Sequence, residues 1–128
     1  MKRFTDNGDG TVTDTTTGLM WPVATTAKNV THKGAVKACT ALDIAGHSDW
    51  RMPTVEELFA LADRTRTSPA IDIAFFPDTK NDWYWSSTPC AWSSGSAWLV
   101  HFGSGYANSN GRSYEACVRA VRAVSAGQ

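Results

Sequence analysis

The chain lacks any apolar run longer than a few residues, so nothing in it has the roughly 20-residue length of a membrane-spanning helix. It also lacks an excess of either charge: 12 Lys and Arg stand against 12 Asp and Glu. There is no run of basic residues, and that balance argues against a nucleic-acid-binding module. Cysteine is scarce and unpatterned. Cys39, Cys90 and Cys117 are far apart with no C-x-x-C spacing, which argues against a zinc site. Three is an odd number, so at most one pair can bridge, and the compartment that would decide its oxidation is not written in the sequence. A phosphate-binding glycine loop is missing, because Gly8-Asp9-Gly10 precedes a strand pattern and not a helix. No G-x-S-x-G elbow surrounds any serine. The opening Met1-Lys2-Arg3-Phe4-Thr5-Asp6 enters polar turn residues at once, with no secretory leader expected in this chain.

What is present is aromatic. Six Trp occur in 128 residues, and 42% of the chain is hydrophobic, enough for one real core and too much for disorder. A single domain over residues 1–128 is expected. Three regions differ in composition. Residues 1–22 read as a β-hairpin: Asn7-Gly8-Asp9-Gly10 is a double turn signal, Thr11-Val12-Thr13-Asp14 is strand-like, and Leu19-Met20-Trp21 is stopped by Pro22. Residues 32–82 hold the helical patterns. One runs from His32 to Ile44 and places Cys39 on its apolar side. The other follows the capping box Thr54…Glu57, carries Leu58, Phe59, Leu61 and Ala62, and ends near Arg64. Residues 83–128 change character. From Trp83 to Tyr114 the only formal charge is Arg112, and eight Ser and four Gly are interleaved with aromatics. Short strands are expected at Trp83–Ser87, Ala97–Phe102 and Ala116–Val124.

The titratable residues show little catalytic pattern. His32, His47 and His101 are candidate bases, but no nucleophile signature accompanies them. Asp49 and Arg51 flank Trp50 as either a substrate clamp or a structural pair. Glu56 and Glu57 are adjacent, so they cannot face one another as acid and base. A calcium loop anchored on Gly10 would need ligands at Thr5, Asn7, Asp9 and Thr16, and its first and last ligands are missing. Enzyme chemistry is therefore not expected, nor is any metal or cofactor. Residues 93–114, dominated by Ser, Gly, Asn and Tyr, have the composition of antibody recognition loops, or of a polar connection between strands.

Several segments occur in a characteristic order: Gly8-Asp9-Gly10-Thr11-Val12-Thr13-Asp14, Thr17-Gly18-Leu19-Met20-Trp21, Gly46-His47-Ser48-Asp49-Trp50-Arg51-Met52-Pro53-Thr54-Val55-Glu56-Glu57-Leu58, Tyr84-Trp85-Ser86-Ser87-Thr88 and Val118-Arg119-Ala120-Val121-Arg122. This set resembles the Lcl C-terminal domain family over nearly the whole chain. The resemblance implies an α+β, C-type-lectin-like fold, with two helices packed on a small twisted antiparallel sheet and long irregular loops. It implies ligand binding and not catalysis. Formylglycine-generating enzymes share the broader fold, but their paired active-site cysteines have no match here. The Glu-Pro-Asn and Trp-Asn-Asp calcium signatures of sugar-binding C-type lectins are also missing. In such folds a disulfide typically joins the first helix to the last strand, which implies Cys39 and Cys117 as a pair. Residues 90–116 further resemble the variable segment of proteins diversified by retroelements.

A variable surface must keep its side chains out of the core. Strand parity at 97–103 is expected to pack Trp98, Val100 and Phe102 inward and turn Leu99 and His101 outward. The expected ligand-binding set is Ser93, Ser94, Ser96, Leu99, His101, Ser104, Tyr106, Asn108, Asn110, Arg112, Ser113 and Tyr114, on one exposed face. The expected function is recognition of a protein or surface receptor, with no nucleic acid and no membrane insertion. A phage virion or bacterial surface would display it. A non-diversified adhesin or accessory structural domain is the alternative, and a formylglycine-generating-type enzyme is the third reading.

Overall fold

The computed structural model describes residues 3–63 and 65–124. The chain builds β1 (Phe4–Asp6), β2 (Thr11–Asp14), β3 (Leu19–Pro22), β4 (Ala27–Val30), α1 (His32–Thr40), α2 (Val55–Leu61), β5 (Trp83–Cys90), β6 (Ser93–His101), β7 (Tyr106–Gly111), β8 (Ala116–Val118) and β9 (Arg122–Ala123). No helix among the described residues is long and apolar enough to cross a membrane.

Residues 4–22 form more than a hairpin. β1, β2 and β3 pair in succession, and β9 completes a four-stranded antiparallel sheet. Gly8 and Gly10 close the first turn at φ of 76° and 89°, a region where a Cβ is strained. The acids of this turn are spent on it. Asp6 Oδ1 accepts from Gly8 N at 2.9 Å, and Asp9 Oδ1 accepts from Thr11 Oγ1 at 2.6 Å.

The second sheet has the order β4-β8-β5-β6-β7, and all its pairings are antiparallel except β5 with β8. Its central strands are buried on both faces. Tyr84, Val100, Phe102 and Cys117 join one core cluster with Leu58 and Leu61 of α2. Trp85, Ala97, Leu99, Ala116 and Val118 join the other with Ala35 and Cys39 of α1. Each helix begins on a threonine cap. Thr31 Oγ1 accepts from Gly34 N, and Thr54 with Glu57 forms the full reciprocal capping box.

Five expectations need correction. The two helices do not pack on one sheet: the chain makes two sheets, and α1 and α2 join different core clusters. The last strand is broken into β8 and β9, because the chain leaves one sheet for the other through Arg119–Val121. Leu99 is buried, at 1% exposure, because α1 and its flanking strands cover the face that parity assigns it. Trp98 is half-buried, unlike Trp21, Trp50 and Trp85. Finally, Cys39, Cys90 and Cys117 are all free thiols. Cys39 belongs to the α1 cluster, whereas Cys117 alternates between Ala116 and Val118 and points into the α2 cluster. α2 stops at Leu61, and Arg64, where its end was expected, lies outside the described residues, as do Met1, Lys2 and residues 125–128.

The Asp49-Trp50-Arg51 segment is structural, and its two charges pair elsewhere rather than with each other. Asp49 meets Arg122 Nε at 2.6 Å, and Arg51 holds Glu57 through both guanidinium nitrogens at 2.8 Å. Trp50 donates its indole N–H to His47 O.

Candidate ligand-binding face

The β6–β7 hairpin is the outer edge of the second sheet. Its register places Leu99 opposite Asn108, His101 opposite Tyr106 and Ala97 opposite Asn110. On the other side of β6, Trp83 faces His101 and Trp85 faces Leu99. Directly opposed residues share a sheet face. One face therefore gathers Trp83, Leu99, His101, Tyr106, Asn108 and Asn110.

The rings on this face lock together. Trp83 stands edge-on to His101 at 4.8 Å and to Tyr106 at 5.3 Å, and His101 stacks on Tyr106 at 9° between planes. Gly103 lets His101 close in, because a Cβ there would lie 2.6 Å from the imidazole Cε1. Gly103 N donates to His101 Nδ1 at 2.9 Å, so the neutral ring carries its proton on Nε2. Tyr106 is exposed at 52%, while β7 alternates exposed and half-buried along its length. A small hollow of about 60 Å³ opens between Trp83, Leu99, Asn108, Ser109 and Asn110.

Of the twelve expected residues, His101, Tyr106, Asn108 and Asn110 come together here, and Leu99 is the buried floor beneath them. Ser104 lies beyond the end of β6 in the turn to β7 and is exposed. Ser93, Ser94 and Ser96 sit at the opposite end of β6, where Ser93 Oγ and Ser96 Oγ are 3.2 Å apart. Ser96 opposes Gly111 on the Trp98 side of the sheet. Arg112, Ser113 and Tyr114 follow β7, with Ser113 and Tyr114 exposed. Arg112 is tied down. Its amide donates to Gly95 O, its carbonyl accepts from His32 N, and its Nη1 lies 3.3 Å from His32 Nδ1. His32 is itself buried, edge-on to Trp85 at 5.1 Å, with Nε2 bonded to Ser86 O. Burial lowers the His32 pKa, and the Arg112 charge lowers it further against the raising effect of Ser86 O.

The sequence reading missed Trp83, because its place depends on pairing with β6 and not on local pattern. It also missed the opposite face. There Trp98 stands edge-on to Trp92 at 5.6 Å, and a groove of about 380 Å³ runs between Val55, Phe59, Trp98 and Ala107. Trp92 is 73% exposed.

Buried thiols offer little chemistry. Burial pushes Cys39 up to about 12 and Cys117 up to about 11, which keeps both protonated. Among the described residues no group of three or more His, Cys, Asp or Glu is gathered to hold a metal ion.

A mixed α/β domain of two sheets and two helices, with framework motifs in the core and an aromatic-amide face at a sheet edge, is the class the geometry defines. The chain belongs to the Lcl C-terminal domain family, whose model matches residues 10–122. That membership is consistent with a recognition or adhesin-like domain. No curated protein matches the sequence.

Proposed function

We propose that this domain is a C-type-lectin-like recognition module that binds a protein or surface receptor through the β6–β7 face. The observation that carries the reading is the cluster of Trp83, His101, Tyr106, Asn108 and Asn110 at an exposed sheet edge. Rigid aromatics with neutral hydrogen-bonding neighbours are the composition of recognition surfaces. The framework supports it. The family motifs carry the buried Trp21, Trp50 and Trp85 and the Thr54–Glu57 capping box, while most exposed positions within residues 90–116 are Ser, Asn, Gly or Tyr. That division suits a segment diversified by a retroelement, displayed by a phage or on a bacterial surface.

Two measurements test this. Flanking DNA should carry a reverse transcriptase gene and a near-copy of the coding segment for residues 90–122. If both are missing, the non-diversified adhesin reading replaces diversification. Binding of the labelled domain to intact cells should fall at least tenfold for the triple variant Tyr106→Ala, Asn108→Ala, Asn110→Ala, with a nearly unchanged melting temperature. Equal binding by a folded triple variant would remove this face from the function.

A further inference from the structure

The polarity of the face is one-sided. Arg112 N donates to Gly95 O, so by antiparallel alternation Tyr106, Asn108 and Asn110 turn their backbone groups to β6, and Ala107, Ser109 and Gly111 turn theirs outward. Three of those six outward groups are taken, among them two of the three N–H groups. Ser109 N donates to Asn108 Oδ1 and Gly111 N to Asn110 Oδ1, each at 2.8 Å, and Gly111 O accepts from Tyr114 N at 3.0 Å. The edge is thereby closed to an added strand, which needs free N–H groups along its length.

The same bonds fix what the two amides offer. With Oδ1 turned to the backbone, Asn108 and Asn110 present their Nδ2 groups. Among the described residues these have no partner, and neither do the Nε2–H of His101 and the indole N–H of Trp83. Trp83, Asn108 and Asn110, each with an uncharged N–H donor, line a hollow floored by Leu99, and His101 stands beside it against Trp83. A sugar hydroxyl must also donate, so it matches a donor-rich array less well. A carboxylate only accepts. The one formal charge between Trp83 and Tyr114 is that of Arg112, and the neighbouring carboxylate, Asp82, is turned to the backbone, where it accepts from Trp83 N at 2.7 Å.

We infer that the hollow between Trp83, Leu99, Asn108 and Asn110 takes a carboxylate of the protein partner, either an acidic side chain or a chain terminus. The inference rests on the reading of the β6–β7 face as the ligand face and names the group that face selects.

The test is nitrogen-15 NMR on the intact domain at pH 7.5, titrated with four short peptides. Two carry a carboxylate: a terminally blocked Gly-Glu-Gly and a Gly-Gly-Ala with a free C-terminus. Two are controls: blocked Gly-Gln-Gly and blocked Gly-Lys-Gly. One or both carboxylate peptides should shift the side-chain amides of Asn108 and Asn110 and the ring N–H of His101, and which one does so identifies the source. Binding should be roughly fivefold tighter than to the Gln peptide, because hydrogen bonds to a charged acceptor are the stronger kind. Asn108→Asp with Asn110→Asp keeps the acceptor that caps each backbone N–H but removes the outward donors, so it should abolish the remaining shift, that of the His101 ring N–H, without changing the melting temperature. Equal shifts with Gln or Lys peptides would overturn the carboxylate and keep the face. Shifts confined to residues elsewhere would overturn both. No shift with any peptide would overturn the carboxylate alone, since the cell-binding measurement judges the face independently.

Discussion

Leu99 and Tyr106 show how little neighbouring positions share. Both lie on the same side of the β6–β7 hairpin, yet Leu99 is 1% exposed and Tyr106 52%. Leu99→Ala removes a packed side chain from the α1 cluster and should cost about 2–5 kcal/mol. Tyr106→Ala should change stability by only about 0.5 kcal/mol, because its ring is solvated and its partners are other surface rings. Urea denaturation of the two variants checks the contrast, and equal losses would show that the aromatic cluster builds the fold. Arg119 is the opposite extreme, a cation at 0% exposure. It donates to Pro22 O at 2.6 Å, Val23 O at 2.7 Å and Thr79 Oγ1 at 2.9 Å, and its guanidinium lies 5.1 Å from the Phe76 ring centroid. Burial lowers its pKa. Arg119→Lys keeps the charge but loses the planar fork that reaches three acceptors. It should cost about 2–4 kcal/mol in the same denaturation experiment, since acceptors lose their donor in a dry site.

At the scale of elements, the Arg112 loop is held by the start of α1. His32 must be neutral to accept from Arg112 Nη1, because its Nε2 proton is spent on Ser86 O. Burial and the Arg112 charge lower the folded pKa below the ordinary 6.5. The sign follows: the unfolded chain binds the proton more readily, so this contribution is whole above about pH 6.5 and is lost as pH falls toward the folded value. Amide hydrogen exchange at Arg112 and Ser113 should therefore speed up between pH 7.5 and pH 5, after correction for intrinsic rates. His32→Gln, which can donate to Ser86 O and accept from Arg112 without titrating, should flatten that dependence. Elements also mark where the sequence was readable. The start of α2 was visible because Thr54 and Glu57 sit at capping-box spacing, and parts of β5 and β6 because Trp83-Tyr84-Trp85 and the apolar residues of 97–102 are strand formers. β7, Tyr-Ala-Asn-Ser-Asn-Gly, read as loop because an edge strand with one solvated face and Asn side chains capping its own backbone needs no apolar alternation. β4, Ala-Lys-Asn-Val, was hidden for the same reason, with two exposed polar residues at its centre. Leu99 went astray because parity separates two faces without saying that α1 covers part of the second.

At the scale of the molecule, Cys39, Leu58, Leu61, Val100 and Phe102 are buried as their helical and strand spacing led one to expect, so the core was largely legible while the two-sheet arrangement was not. Sheet membership is decided by long-range pairing, and nothing in Val118-Arg119-Ala120-Val121-Arg122 says that the strand breaks to serve both sheets. That crossing point depends on charge. Arg51 exchanges both backbone bonds with Val121 at 2.9 Å, Arg122 holds Asp49, and Arg51 holds Glu57 at the start of α2. The hydrogen bond from Arg122 keeps the Asp49 carboxyl below its ordinary 3.8, and that from Arg51 keeps Glu57 below its ordinary 4.5. Both groups are more acidic folded than unfolded, so their stabilisation is complete above those ordinary values and drains away as pH falls through the lower folded ones. Stability measured by urea denaturation should hold flat from pH 7 to pH 6.5 and fall modestly by pH 5 as His32 titrates. It should then fall steeply below about pH 4 as both carboxylates protonate. Glu57→Gln should lessen the acid limb while lowering stability at pH 7, because the neutral amide cannot replace the bidentate pair with Arg51. Asp49 is exposed at 64%, so water screens its pair and Asp49→Asn should have the smaller effect on both counts. A steeper loss for Asp49→Asn than for Glu57→Gln would place the acid-sensitive joint at β9 instead of at the cap of α2.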